Sequence, residues 1–238
     1  YDPAGRLVAA TIPGHTITYG FAATGGCGAN AYAGLDGNRT SSSDTTSEGT
    51  WSTISCYDYA DRLTATTTTG APADASPVTG NNLAASNLVY DAQGNLARMA
   101  DELLTYDPAG RHASTSTVDG GTNVAYQRDA TDRIISRTVN GTTTKLGYSA
   151  SGDSADLVLN SDNRIASRQI SLPGGVVLTI AGDGSNSTWS YPNIHGDVIA
   201  TADATGTRTG TFAYDPFGQP IDAATENVGT TAADDAVP

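Results

Sequence analysis

Short runs in which apolar and polar residues alternate dominate this chain. "RIISRTVNG", "SLPGGVVLTIAGDG" and "GDVIATADATGTRTGTFAY" all show it, and each run meets Gly, Asn, Asp or Pro within a few residues. A period of two with frequent turn residues predicts half-buried β-strands. No stretch carries the 3.6-residue period of a helix longer than two turns, and "DELL" at 101–104 is too short to form one. Within "VNGT" (139–142), Asn140-Gly141 suits a two-residue type I′ hairpin turn. The pattern therefore predicts an all-β fold of successive hairpins.

The turns repeat a phrase. Aligned on its Asp, it reads "YDPAGRLVAA" at 1, "CYDYADRLTA" from 56, "VYDAQGNLAR" from 89, "TYDPAGRHAS" from 105 and "QRDATDRIIS" from 127. "GYSASGDSADLVL" from 147 reads as a further, decayed copy, and "FAYDPFGQPI" closes the series. Asp can bond its own backbone downstream, Pro fixes φ, and Gly tolerates positive φ. The expected turn residues are Tyr1, Asp2 and Gly5; Tyr57 and Asp58; Tyr90, Asp91 and Gly94; Tyr106, Asp107 and Gly110; and Tyr214, Asp215 and Gly218. A phrase that recurs describes a structural unit rather than a catalytic motif. One hairpin is marginal alone, so the units must stack into a continuous sheet.

Composition sharpens this picture. Only 38% of the 238 residues are hydrophobic, so the core is thin and Tyr, with 11 copies, supplies much of it. Twelve basic against 25 acidic residues give a net charge of −13, and Lys145 is the only lysine. That balance argues against nucleic-acid binding, which needs clustered Lys and Arg, and against an anionic membrane surface. No apolar run approaches the ~20 residues of a membrane span. Cys27 and Cys56 flank a Ser/Thr-rich insert and are a disulfide candidate. A bridge there closes a loop of about 30 residues and stabilises by about 3–4 kcal/mol. Such a pairing suits a secreted chain.

The phrases "YDPAGRL", "VYDAQGNL" and "YDPAGRH" resemble the tyrosine–aspartate (YD) repeat of the RHS family, which includes bacterial RHS toxins, wall-associated proteins and teneurins. "YPNIHGDVIATADATGTRTGTFAYDPFGQPI" (191–221) is similar to the segment leading into the RHS core. The resemblance implies repeated β-hairpins forming a long curled sheet, part of an RHS-type spiral β-shell. It implies a secreted or cell-surface bacterial protein whose partners are the remaining segments of the same precursor and an encapsulated C-terminal toxin. Starting inside the phrase at Tyr1, the chain reads as a piece of that precursor, without its toxin. Five segments are expected: 1–65, N-terminal YD repeats with the Cys27–Cys56 insert; 66–88, a Gly/Pro/Ala-rich spacer; 89–180, central YD repeats; 181–221, core-like terminal strands; and 222–238, a tail or linker.

Candidate chemistry is sparse. His15, His112 and His195 lack metal-site spacing, "GDSAD" (152–156) is not a nucleophile elbow, and no phosphate loop is present. No catalytic, cofactor-binding or metal residue is expected, and the leading function is a non-catalytic structural segment. Two alternatives remain. One is a carbohydrate-binding adhesin module that uses exposed tyrosines with Trp51 and Trp189 as ligand-contacting aromatics. The other is a hydrolase with a carboxylate pair that nothing in the sequence singles out.

Overall fold

The computed structural model describes residues 1–80 and 82–229. It divides into two compact units, Tyr1–Asp101 with the segment from Tyr214, and Glu102–Ala213. In the first unit, β1 (Ala9–Ile12), β2 (His15–Gly20), β3 (Ser41–Thr46), β4 (Gly49–Tyr57) and β5 (Leu63–Thr69) form an antiparallel sheet in sequence order. β6 (Leu88–Tyr90) and β7 (Leu96–Met99) make a further hairpin. Leu83, Leu88 and Ala100 form a small buried cluster, flanked by Leu63, Val78, Leu96 and Met99.

The second unit is a run of antiparallel strands, each paired with the next: β8 (Glu102–Tyr106), β9 (His112–Thr117), β10 (Asn123–Arg128), β11 (Ile134–Val139), β12 (Thr142–Gly147), β13 (Leu157–Leu159), β14 (Ile165–Ser171), β15 (Val177–Ala181), β16 (Ser187–Pro192), β17 (Val198–Ala202) and β18 (Arg208–Thr211). Asn140 and Gly141 both have positive φ, +48° and +84°, as the two-residue turn between β11 and β12 requires. Among the described residues of this unit only Ser136, Thr201 and Ala202 are buried. Leu103, Ile135, Ile165 and Ile199 stay exposed. Backbone ladders and turn contacts, rather than a packed interior, hold it together. Finally β19 (Ala213–Tyr214) and β20 (Pro220–Ile221) pair around the last copy of the phrase.

Three stretches carry more structure than their composition suggests. The cysteine insert supplies β3 and most of β4, two inner strands of the sheet. Its Ser and Thr residues hide the strand pattern because polar side chains occupy both faces. The 66–88 stretch contains the end of β5 and Leu83, the largest fully buried side chain among the described residues. After Ile221 the chain turns on Asp222 and bridges Ile221 to Val228, which is buried. The remainder of the expected tail, 230–238, lies outside the described residues.

Candidate functional site

Two arrangements stand out: the repeated turn and a polar cavity in the first unit. The turn is the same wherever the phrase is complete. Asp107 Oδ1 accepts the amides of Ala109 and Arg111 at 2.9 and 3.0 Å, and Oδ2 takes the Arg111 guanidinium at 2.7 Å through both Nε and Nη2. Gly110 donates its amide to the Asp107 carbonyl, and Asp107 donates its own to the Arg111 carbonyl. Asp2 with Arg6, Asp58 with Arg62 and Asp129 with Arg133 repeat the pattern, while Asn95 replaces Arg beside Asp91. The result is a three-residue hairpin loop closed by a bulge.

The third residue after Asp takes positive φ, +77° at Gly5, +90° at Gly94, +76° at Gly110 and +82° at Gly218. Where Gly is missing, Asp61 and Asp132 adopt the same conformation at +58° and +73°. Short Asx side chains tolerate it. The Arg111 side chain and amide hold the Asp107 carboxyl below its usual range, and Arg62 does the same for Asp58. At Asp2 the Arg6 amide contributes most, ahead of the Arg6 side chain.

The tyrosines join one hairpin to another. Tyr90 donates its hydroxyl to the Leu63 carbonyl at 2.9 Å while Arg62 lies 5.1 Å from the Tyr90 ring centre. Tyr57 donates to the Arg39 carbonyl. Tyr106 instead packs within its own hairpin against His112, with ring centres 5.9 Å apart, and Tyr214 is half-buried. Tyr1 stands 85% exposed and has no such role here. His112 is half-buried between Tyr106 and Tyr126, with Nε2 2.8 Å from Thr115 Oγ1.

Three further turns escape a search for Tyr-Asp. Asn160 accepts the amides of Asp162 and Arg164, with Asn163 at φ +60°. Asn193 accepts those of His195 and Asp197, and Asp203 those of Thr205 and Thr207. Allowing Asn for Asp and dropping the Tyr would have found them. The copy read at 147 is divided: Tyr148 keeps the tyrosine role, its loop closes on Asp156 instead, and the Asx turn follows at Asn160. Ser154 of "GDSAD" is exposed in that loop.

The cavity, of about 240 Å³, lies on one face of the five-stranded sheet. Register explains its lining. Tyr19 pairs with Ser42, Asp44 with Trp51, and Ser42 with Thr53, so residues two apart on β2, β3 and β4 share that face. Arg39, Val78, Met99, Asp215, Gln219 and Val228 complete the wall. Arg39 places its guanidinium 5.1 Å from the Tyr19 ring centre and 4.5 Å from that of Phe217, and the two rings meet edge to face at 4.9 Å. His15, 3% exposed, brings Nδ1 to 2.7 Å from Asp44 Oδ2.

Asp215 departs from its sister aspartates. Its Oδ1 still accepts two turn amides, from Phe217 and Gln219, but Gln219 stands where Arg follows elsewhere. Burial pushes its carboxyl up, against the two amides and Arg39, with Asp44 adding to the rise. Burial also raises the Tyr19 hydroxyl to about 12. Asp44 and Asp215 thus share one cavity, a pairing that spacing along the chain does not reveal. Neither tryptophan is freely exposed: Trp51 and Trp189 are both half-buried, Trp51 lining the cavity and Trp189 lying within β16. Among the described residues no group of three or more His, Cys, Asp or Glu is placed to hold a metal ion. Cys27 and Cys56 form a disulfide.

Asx-turn hairpins repeated along antiparallel sheets make an all-β fold similar to that of RHS/YD-repeat proteins. No family model matches the chain. Over 153 residues it is 28% identical to the tRNA3(Ser)-specific nuclease WapA of Bacillus spizizenii and, again over 153 residues, 28% identical to the tRNA nuclease WapA of Bacillus subtilis. Each match covers 56% of this chain, and the chain spans 6% of the length of either relative. Among solved structures, TcdB2-TccC3 without its hypervariable C-terminal region shares the fold, with a TM-score of 0.52 at 14% identity. That match covers 92% of this chain and 11% of the other.

Proposed function

We propose that this chain is a non-catalytic structural segment of a secreted or cell-surface bacterial RHS/YD-repeat protein. Its hairpins build part of a β-shell that encloses or delivers a toxin domain of the same precursor. The observation that carries this reading is the recurrence of one Asp–Arg turn in both units, in the second along strands that bury almost nothing between themselves. Such a sheet gains stability by continuing into more sheet and by covering something else. The nuclease names of the WapA relatives describe whole proteins. The nuclease activity is assigned here to another part of such proteins, because this segment is strongly acidic.

Electron microscopy of the intact precursor is expected to show a hollow β-shell containing these residues, and a solid globule overturns the reading. The isolated chain is expected to leave tRNA intact; cleavage that survives repurification would assign it a catalytic role instead.

A further inference from the structure

The segment from Tyr214 belongs to the first unit and is fastened to it along its length. The Phe217 ring meets Tyr19 edge to face, with the Arg39 guanidinium 4.5 Å from its centre. Glu226 Oε2 stands 3.3 Å from where a Cβ on Gly14 would lie, beside the turn between β1 and β2. Val228 joins the cavity wall, and the Gly229 carbonyl accepts the Ser76 amide at 3.2 Å. Among the described residues of the segment, Val228 is the only apolar side chain that is fully buried, and Phe217 remains 54% exposed. So little apolar burial holds the segment that a single charge can decide whether it stays docked.

The segment buries two carboxyls. Asp222 is satisfied within its own loop: Oδ1 accepts the amides of Ala224 and Thr225 and the Thr225 hydroxyl, and these hold the carboxyl below its usual range. Asp215 is placed differently. Asp2, Asp58, Asp107 and Asp129 are half-buried and each holds an arginine of its own turn, whereas Asp215 is buried and Gln219 stands in the arginine's place. The groups that face it from the sheet are the Tyr19 hydroxyl on β2, Arg39 ahead of β3 and Asp44 on β3, with His15 held on the far oxygen of Asp44. Burial raises the Tyr19 hydroxyl to about 12, so it carries no charge at neutral pH. Arg39 lies over the Tyr19 and Phe217 rings. An ionised Asp215 thus puts a second negative charge beside Asp44 in a buried place, and undocking returns that charge to water.

We infer that residues 214–229 form an acid-tightened clasp: with Asp215 protonated the segment closes on the five-stranded sheet, and with Asp215 ionised beside Asp44 it lifts. The sign follows from linkage. A carboxyl raised by burial binds its proton more tightly in the closed state, so closure is favoured in acid and is lost as pH rises through the raised value. The turn aspartates act in the opposite sense and only below about pH 4, so the two effects separate. The clasp belongs to the first unit alone and does not depend on what a complete shell encloses.

The test is hydrogen exchange read by mass spectrometry on the full 238-residue chain. It is run at about pH 4.5 and about pH 7.5, with each rate corrected for intrinsic exchange. Protection over 215–229 is expected to fall about threefold or more at the higher pH, while β3 and β4 change less. Asp215→Asn keeps Oδ1 for the two turn amides and should hold the acid level of protection at both pH values. Gln219→Arg gives the carboxyl the guanidinium of its sister turns, at an exposed position, and should remove most of the fall. It decides the matter alone if Asp215→Asn does not fold. Asp107→Asn, in the second unit, should leave the fall as in the parent. Protection that is equal at the two pH values in the parent overturns the proposal. So does a fall spread evenly over both units, or one that persists in Asp215→Asn, which would assign it to another group such as His15.

Discussion

Arg133 lays its guanidinium 4.5 Å from the ring centre of Tyr148, and the Tyr148 hydroxyl donates to the carbonyl of Ile134, the residue after that arginine, at 2.7 Å. Arg62, Tyr90 and Leu63 repeat the arrangement in the other unit. At these two turns the arginine therefore acts twice, holding its own Asp within the loop and presenting a flat cation to a tyrosine of a following hairpin. Tyr148→Phe removes the hydroxyl bond and should cost about 0.5–1.5 kcal/mol. Arg133→Lys keeps the charge but loses the two-pronged Asp129 contact and the flat stack. We expect both variants to melt lower than the parent in thermal denaturation. An unchanged Tyr148→Phe would mean that the tyrosine packs without stitching.

The turn aspartates set a pH dependence. Asp2, Asp58 and Asp107 have carboxyls held below the ordinary range. Their contribution is complete above the unfolded value near ~3.9 and is lost as pH falls through the lower folded values. Melting temperature should therefore drop steeply below about pH 4. Asp107→Asn keeps an oxygen for the amides of Ala109 and Arg111 and loses the ion pair, so its drop should be shallower. A parallel acid profile for parent and variant would remove Asp107 from this account.

Asp215 should behave in the opposite sense. Its folded carboxyl is raised, so its contribution is present below the unfolded value and is lost as pH rises through the folded one. At neutral pH a buried charge without an arginine partner on its turn opposes folding. Asp215→Asn retains Oδ1 for Phe217 and Gln219, and is expected to raise the melting temperature at pH 7 but not at pH 3.5. A variant that melts lower at pH 7 would show that the Asp215 charge has a partner that stabilises it.

Position 110 separates backbone from side chain. With φ at +76° and open space where a Cβ would stand, strain alone decides the outcome. Gly110→Val should cost about 1–2 kcal/mol or more. Gly110→Asp should cost less, because Asp61 and Asp132 already hold this conformation. Equal losses in denaturant titrations would contradict the turn geometry.

The Cys27–Cys56 bridge spans 29 residues and encloses β3 and nearly all of β4. Replacing both cysteines with serine should cost about 3–4 kcal/mol. Limited proteolysis of the variant should then cut first between residues 28 and 55. Cutting first in the second unit instead would show that the bridge is not what secures this sheet.

The sequence by itself determined the all-β class, the hairpin as the repeating unit and the residues of its turn. These are local matters: Asp, Gly and Arg within five positions satisfy one another, as at Asp107, Gly110 and Arg111. The Cys27–Cys56 pairing was legible too, because two cysteines allow one partner. Turns on Asn160, Asn193 and Asp203 were blurred by the loss of Tyr and by Asn standing in for Asp. The cavity was not legible at all. It gathers β2, β3 and β4 with residues 215–228, and its polar side chains face inward, so the alternation that reveals an ordinary strand is missing. Only the tertiary structure placed Asp44 and Asp215 on one cavity. Sheet register and chain return bring such distant groups together, and neither is written in any short stretch of sequence.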